Sequence, residues 1–212
     1  MASFAVVSCS NYPEGYFNVY REVAQQEVAA VLLLGDYLYE SGNANKGAEL
    51  GRVVEPPREI IALADYRMRY AQARTDRDLQ RIHASVPFLL TWDDHEVDND
   101  YAGDQQEALD PRFLARRAAG YQAYFEHMPL RAWRRPLGNA LPLSGRTTIG
   151  DLASIHVLDA RQYRAPQACA EQGDMIGVDC AQRRATSQTM LGTAQQQWLF
   201  DGMTASRARW NV

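Results

Sequence analysis

The chain has 212 residues and a formal net charge of −4, and its hydrophobic and charged fractions of 46% and 23% are ordinary for a globular protein. This composition argues against disorder, and the acidic balance argues against nucleic acid as a partner, because phosphate backbones are held by basic surfaces. The small cluster of Arg131, Arg134 and Arg135 is interpreted as a solvated loop. No apolar run approaches the roughly 20 residues that a membrane span needs, and the N-terminus lacks the features of an export signal.

Short apolar runs alternate along the chain with segments of helical periodicity, and this alternation predicts an α/β sheet. The predicted strands are Ser3–Ser8, Val31–Leu34, Val86–Trp92 and Ser154–Leu158. The predicted helices are roughly Tyr16–Ala29, Ile60–Ile82, Phe113–Met128 and Ala194–Trp210. The Gly- and Asn-rich stretch "SGNANKGAELG" after the second strand is typical of a surface loop. No repeat or interdomain linker interrupts this order.

The three cysteines divide into a pair and a single residue. Cys169 and Cys180 bracket the polar loop "CAEQGDMIGVDC", which could close as a disulfide ring in an oxidising compartment, whereas Cys9 stands alone after the first strand. Three reduced, inert thiols in a cytosolic protein are the alternative.

Reactive side chains follow every predicted strand. Cys9 follows the first strand, Asp36 the second, and the run Asp93-Asp94-His95-Glu96 the third, and Asp159 and Arg161 follow the fourth. Because ligands bind at the carboxyl ends of strands in open α/β sheets, we expect these residues to meet along one edge. Any one of them has an ordinary structural explanation, such as a helix cap, but four such strand ends together indicate a site.

Closely packed carboxylates repel one another, and a bound cation or exposure to solvent keeps them ionised. Two metal ions about 3.5–4 Å apart that share a bridging carboxylate form a recurring device for attacking phosphoesters. Asp36 is the candidate bridge. The phenol of Tyr39 and the thiol of Cys9 suit a transition metal, and a trivalent iron would hold Tyr39 as tyrosinate.

Several stretches resemble the PhoD-like alkaline phosphatases of the calcineurin-like metallophosphoesterase superfamily. They are "SCSNYPEGYFNVYREVA", "LLLGDYLYE", "YRMRYAQARTDRDLQRIHASVPFLLTWDDHEVDNDY", "RRAAGYQAYFEHMPLR" and "LDARQYR". The resemblance implies a four-layer α/β/β/α sandwich, Fe³⁺ and Ca²⁺ as cofactors, and hydrolysis of phosphomonoesters and phosphodiesters. It also implies export through the twin-arginine pathway, and so an extracellular or periplasmic parent protein.

Carried over by position, the resemblance makes Cys9, Asp36 and Tyr39 iron ligands, with Asp36 also facing the neighbouring metal. Asp94 falls at the position of a second-metal ligand, and His95 at the position of a histidine that contacts the phosphate or protonates the leaving group.

Three further residues are weaker candidates. Asp93 and Asn99 are secondary candidates for calcium. Arg161 is a candidate for holding the phosphate as a bidentate fork, with a salt bridge to Asp159 or Asp94 as the alternative.

The chain departs from the family pattern in length. Family members continue to a later Gly-Asp-Val-His stretch that supplies further metal ligands, and they commonly carry an N-terminal β-sandwich domain; neither is found here. We therefore expect residues 1–212 to be the front part of a catalytic domain that lacks its C-terminal half, and to supply mainly the first sheet and its helices. A sheet left open in this way is expected to associate.

The predicted function is metal-dependent phosphoester hydrolysis, in which a metal-bound hydroxide attacks phosphorus in line. The alternative is a non-catalytic metal- or phosphate-binding remnant of the same fold. The residues do not distinguish among phosphoester substrates.

Overall fold

The first sheet consists of three short parallel strands. In a computed structural model that describes residues 1–106, 110–169 and 179–212, these are β1 (Phe4–Val7), β2 (Ala30–Leu33) and β3 (Phe88–Leu90), in the order β1-β2-β3. Each is an apolar run of the kind that a buried parallel strand requires. Parallel pairing places the carboxyl ends of all three strands at the same edge, as the sequence predicts.

A second sheet contains β4 (Gly145–Ile149), β5 (Ala153–Val157) and β6 (Trp210–Asn211), in the order β4-β5-β6. The predicted strand Ser154–Leu158 is thus real, but its place in one four-stranded sheet with the first three strands is wrong. It pairs instead with β4, which directly precedes it, as an antiparallel hairpin. The two sheets meet where Oγ1 of Thr91 donates to the carbonyl of Leu158 at 2.7 Å.

Within the described residues, the five α-helices largely follow the predicted periodicity, and the differences lie at their ends. They are α1 (Asn18–Val23), α2 (Leu63–Ala73), α3 (Arg77–Ser85), α4 (Phe113–His127) and α5 (Thr193–Ala205). The single helix predicted from Ile60 to Ile82 is two helices, because Asp76 is extended and its carboxylate caps the N–H groups of Asp78 and Leu79. The last predicted helix ends early, and Trp210 lies in β6.

The core lies between the first sheet and the helices and is rich in tyrosine. α1 packs against α3, and α2 packs against α4. Tyr66, Tyr70, Tyr121 and Tyr124 are fully buried, and the last two pack against the ring of Trp92. The α/β class is confirmed by this arrangement. Among the described residues, no helix combines the length and apolar character that a membrane crossing would need.

The opposite face of the first sheet is partly uncovered. Val6, Leu32 and Leu89 are paired in register across the three strands, so their side chains share one face. Val6 is 61% exposed, and Leu34 at the end of β2 is 52% exposed. Parallel strands are normally covered on both faces, but here Leu32 and Leu89 are half-buried and Val6 is exposed, so the packing layer over this face is incomplete among the described residues.

Candidate metal centre

Three loops converge beyond the carboxyl ends of β1, β2 and β3. The backbone N–H of Cys9 donates to the carbonyl of Gly35 at 3.2 Å, and that of Ser10 donates to the carbonyl of Asp36 at 2.8 Å. The first loop thus continues the pairing of β1 with β2. As a result, the thiol of Cys9 lies beside the first carboxylate of the site.

Gly35 allows the second and third loops to touch. Its φ is +110°, and a Cβ at this position would lie 2.2 Å from the backbone nitrogen of Asp93. Any side chain would therefore push the two loops apart. Asp36 itself has a φ of +54°. The Gly-Asp pair in "LLLGDYLYE" is thus required by the turn as well as by its chemistry.

Asp36, Asp94 and His95 form the centre of the site. One ligand atom from each lies within 4.8 Å of the others, and both aspartates are buried. Burial raises the pKa of Asp36; the nearby charge of His95 opposes this, and those of Asp94 and Asp93 add to it. The buried Oδ1 of Asp36 has no hydrogen-bond partner among the described residues. A buried carboxylate oxygen without a donor is suited to a cation.

Tyr39 and Cys9 stand on one side of this centre. The phenol of Tyr39 donates to Oδ2 of Asp36 at 3.3 Å, and the thiol of Cys9 is within hydrogen-bonding reach of both side chains. Burial, reinforced by the charges of Asp36 and Cys9, raises the pKa of Tyr39 well above its ordinary value. Without a cation the phenol is therefore neutral. The carboxylate, phenol and thiol together fit a transition metal.

His95 is oriented by Glu40, whose role sequence reasoning missed. Nδ1 of His95 lies 2.7 Å from Oε2 of Glu40, a carboxylate that is 5% exposed. Burial lowers the pKa of His95, but the hydrogen bond to Glu40 and the charges of Glu40, Asp94 and Asp36 outweigh it and raise the pKa to about 9. The ring also lies against Tyr39, with centroids 4.2 Å apart. These contacts leave Nε2 as the nitrogen of His95 that can serve chemistry.

Glu96 joins the loop after β2 to the loop after β3. Its carboxylate accepts from the backbone N–H of Tyr37 at 2.6 Å and from that of Asp93 at 2.9 Å. Burial raises its pKa to about 8, although the N–H of Tyr37 lowers it; the charge of Asp36 raises it further. The sequence shows Glu96 within the reactive run but not this contact.

Arg161 reaches the site from the loop after β5. Its guanidinium lies 2.6 Å from Asp93, 3.0 Å from Asp94 and 3.5 Å from Asp100. The alternative of a salt bridge to Asp94 is therefore confirmed as a contact. Asp159 instead accepts from the backbone N–H of Arg161 at 3.0 Å, which fixes the turn rather than the side chain.

The structure brings most of the predicted site residues together, namely Cys9, Asp36, Tyr39, Asp93, Asp94, His95 and Arg161. Asn99 lies at the margin: its backbone N–H donates to Oε1 of Glu40 at 3.0 Å, and its side-chain amide lies 3.5 Å from Oδ2 of Asp100. Asp100 was missed in the sequence, although its position in the acidic run "DDHEVDND" is a signal that could have indicated it. Its φ of +51° and its backbone N–H, which donates to Asp94 at 2.8 Å, close the loop on the site.

The three cysteines form one disulfide and one free thiol, as in the first of the two arrangements considered from the sequence. Cys169 and Cys180 are joined by a disulfide, and Cys9 is free and exposed. The interior of the bracketed loop, residues 170–178, lies outside the described residues. Cys9 thus keeps the thiol that a metal ligand needs.

These features define a class of α/β protein with a carboxylate-rich centre at the ends of its parallel strands, and comparison identifies the family. The profile of the PhoD-like phosphatases matches residues 4–212, and the chain belongs to this family. It is 44% identical to Alkaline phosphatase D of Bacillus subtilis (strain 168) over 99% of its own length and 36% of the relative's.

A solved structure described as "Structure of PhoD" has the same arrangement. It superposes with a TM-score of 0.90 at 42% identity, over 98% of this chain and 40% of that one. The chain therefore spans well under half the length of the relatives it matches.

Proposed function

We propose that this chain supplies part of the active site of a metal-dependent phosphoester hydrolase, an alkaline phosphatase or phosphodiesterase. The observation that carries the proposal is the trio of Asp36, Asp94 and His95 within 4.8 Å, in which both aspartates are buried and one oxygen of Asp36 is left without a donor. Membership of the PhoD-like phosphatases and the name of the Bacillus subtilis relative support it.

Two ions, Fe³⁺ and Ca²⁺, fit the donors in different ways. Cys9, Asp36 and Tyr39 would hold the iron, because thiolate and phenolate suit a transition metal. Asp36 and Asp94 would hold the calcium through hard oxygen ligands, with Asp93 and Asn99 as secondary candidates. When bound, the pair would activate a water molecule and neutralise charge on the phosphoryl oxygens.

A residue of this chain would then protonate the leaving group. As an oxygen from water forms a new bond to phosphorus, the bond between phosphorus and the alcohol oxygen breaks in line with it. His95 would donate its proton to that departing oxygen through Nε2, because Glu40 holds Nδ1.

Arg161 would hold the phosphate as a fork once substrate enters. In the present structure its guanidinium is occupied by Asp93, Asp94 and Asp100. A bound cation would draw Asp94 into coordination and leave the guanidinium for an anion. The occupied arginine is also the observation that favours the second candidate, a remnant that binds metal without turnover.

The remaining proposals concern the parent protein. Residues 1–212 would form one partial catalytic domain, and further metal ligands would come from a C-terminal half of the same domain. The substrate would be a small phosphomonoester or phosphodiester. The disulfide between Cys169 and Cys180 supports an extracellular or periplasmic location, since disulfides persist in oxidising compartments.

Hydrolysis of p-nitrophenyl phosphate by the chain loaded with Fe³⁺ and Ca²⁺ tests this function. We expect turnover that needs both ions but is far weaker than that of the longer parent protein, which would add the remaining ligands. We expect Asp36→Asn to lose metal as well as activity, because a bridging ligand belongs to both ions. Asp201→Asn, on the exposed face of α5, is the matched control and should match the wild type. Metal binding without turnover, in the longer parent protein as well as in this chain, would favour the remnant. Retention of both metals by Asp36→Asn would contradict the bridge.

A further inference from the structure

Glu96 is a buried carboxylate with an uncommon set of partners. It is 0% exposed, and each of its oxygens accepts from the backbone of a different loop: Oε1 from Tyr37 and Oε2 from Asp93. Tyr37 directly follows Asp36, and Asp93 directly precedes Asp94. One side chain therefore joins the backbones beside two candidate metal ligands that are far apart in the sequence.

An apolar side chain would fill this position at lower cost if packing were its only task. Burying a carboxylate carries a desolvation penalty, which good hydrogen-bond geometry must offset. A cation held by Asp36 and Asp94 would favour the ionised form of Glu96, in which both oxygens accept and lie in one plane, whereas an amide offers one acceptor and one donor. The chemistry of Glu96 thus matches a need to hold two backbone N–H groups at once.

The backbone of Glu96 is itself held firmly. Gly120 on α4 packs so closely that a Cβ there would lie 2.9 Å from the carbonyl oxygen of Glu96. The backbone N–H of Val97, the next residue, donates to the carbonyl of Asp94 at 2.8 Å. The backbone that carries the carboxylate is therefore packed against α4, and the two loops are attached to the carboxylate.

We propose that Glu96 is a positioning residue that sets the separation of Asp36 and Asp94 as metal ligands. This inference rests on the proposed function, because it gives the two aspartates a metal to bind. Glu96 would touch neither the metal nor the substrate, because its side chain is fully buried and both of its oxygens accept from backbone N–H groups. Its role is to fix the distance between the loop after β2 and the loop after β3. Gly35 allows these loops to lie close together, and the carboxylate of Glu96 holds them there.

Two conservative substitutions test this role. In Glu96→Gln, one of the two backbone N–H groups would face an amide NH₂ and lose its acceptor. In Glu96→Asp, the charge is kept, but the side chain is too short to reach both loops. The test measures Ca²⁺ binding by calorimetry and the exchange rates of the Tyr37 and Asp93 amides by NMR. Both variants should bind Ca²⁺ about 10- to 100-fold more weakly, as is common when a supporting contact of a ligand is lost.

Exchange should become faster at one of the two amides in Glu96→Gln and at one or both in Glu96→Asp. The matched control is Asp65→Asn, because Asp65 is also buried and accepts from two backbone N–H groups, those of Ile61 and Ala62 at 3.3 Å, at the start of α2. It should lower stability and leave Ca²⁺ affinity unchanged.

The outcomes separate this inference from the proposed function. Wild-type affinity for Ca²⁺ in folded variants whose Tyr37 or Asp93 amide exchanges faster would overturn the role of Glu96. An equal loss of affinity in Asp65→Asn would overturn it too, because the effect would then be general destabilisation. A wild-type chain that binds no Ca²⁺ would instead count against the proposed metal site.

Discussion

Nδ1 of His95 lies 2.7 Å from Oε2 of Glu40, and the other oxygen of Glu40 accepts from the backbone of Asn99 at 3.0 Å. The carboxylate thus holds both the imidazole ring and the loop that follows it. A histidine held in this way keeps its proton and one orientation, and general acid catalysis requires both.

Glu40→Gln should lower kcat for p-nitrophenyl phosphate about 10- to 100-fold with little change in KM, because orientation of His95 is lost while the candidate metal ligands remain. Steady-state kinetics of the metal-loaded chain measure this. Glu27→Gln, at an exposed position, is the control. An unchanged kcat in Glu40→Gln would mean that the contact between Glu40 and His95 takes no part in the reaction.

Arg69→Lys should destabilise the fold by about 2–4 kcal/mol. Arg69 is 2% exposed and donates to five backbone carbonyls. These carbonyls belong to Tyr39, Ser41, Glu55, Pro56 and Arg58. A lysine has three donors on one nitrogen and cannot span them.

Urea denaturation measures the effect, and α2 supplies its own control. Arg67 lies two residues earlier, its side chain is 49% exposed, and it pairs with Glu126. Arg67→Lys should change stability by less than about 0.5 kcal/mol. Equal effects at the two positions would show that the carbonyl contacts of Arg69 contribute little.

His83 should make the fold sensitive to mild acid. Burial, with a smaller contribution from the charge of Arg74, lowers the pKa of His83 from 6.5 to about 4. Its ring stacks on Phe88 at 4.2 Å, and its Nε2 lies 3.0 Å from the hydroxyl of Tyr37. The unfolded state therefore takes up a proton before the folded state does, so the contribution to stability is complete above about pH 6.5 and is lost as pH falls toward 4.

His83→Gln, which keeps a polar group but does not titrate, should flatten the fall in the free energy of unfolding between pH 7 and pH 4.5. Denaturation curves at several pH values compare the two proteins. The same slope in the variant and the wild type would assign the acid sensitivity to other groups.

Tyr39→Phe should abolish a visible charge-transfer band of the iron-loaded chain, because the band requires a phenolate on ferric iron. Tyr16→Phe, at an exposed tyrosine, should leave the band in place. The absorption spectrum and the iron content of each protein are measured together. A band that survives in Tyr39→Phe would remove Tyr39 from the ligand set.

The uncovered face of the first sheet should make the isolated chain associate. β1 is an edge strand, and a lysine on an edge strand opposes pairing with another chain. Val6→Lys should therefore lower the apparent mass in light scattering at equal concentration. Leu137→Lys, at a residue 76% exposed outside this face, should not. A wild-type chain that is monomeric at high concentration would contradict the expected association.

Sequence patterns predicted the helices and the strand ends well because both are local. Periodicity located four of the helical regions, and the residues after the strands met as expected. The hairpin of β4 and β5 was missed because β4, with the sequence GRTTI, is short and partly polar. The cap at Asp76, within "RTDRDL", is a local signal that could have divided α2 from α3.

The supporting contacts of the site could not be predicted in the same way. Glu40 and His95 are 55 positions apart, and Tyr37 and Glu96 are 59 apart. No spacing rule connects residues at such distances, since the pairing of whole strands decides which loops meet. For Arg161, the sequence allowed either a phosphate contact or a salt bridge to Asp159 or Asp94. Its contacts with Asp93 and Asp100 depend on the tertiary structure and were not predicted.

The disulfide between Cys169 and Cys180 has a consequence for proteolysis. A single cut anywhere between the two cysteines would open the backbone but leave both pieces covalently joined. Gel electrophoresis would show one band without reductant and two bands with it. The later piece carries Gln195, whose side chain holds the backbone of Asp159 through bonds of 2.7 and 2.8 Å. In an oxidising compartment, the turn that bears Arg161 would thus stay covalently linked to its support after such a cut, whereas in a reducing one only non-covalent contacts would join the two pieces.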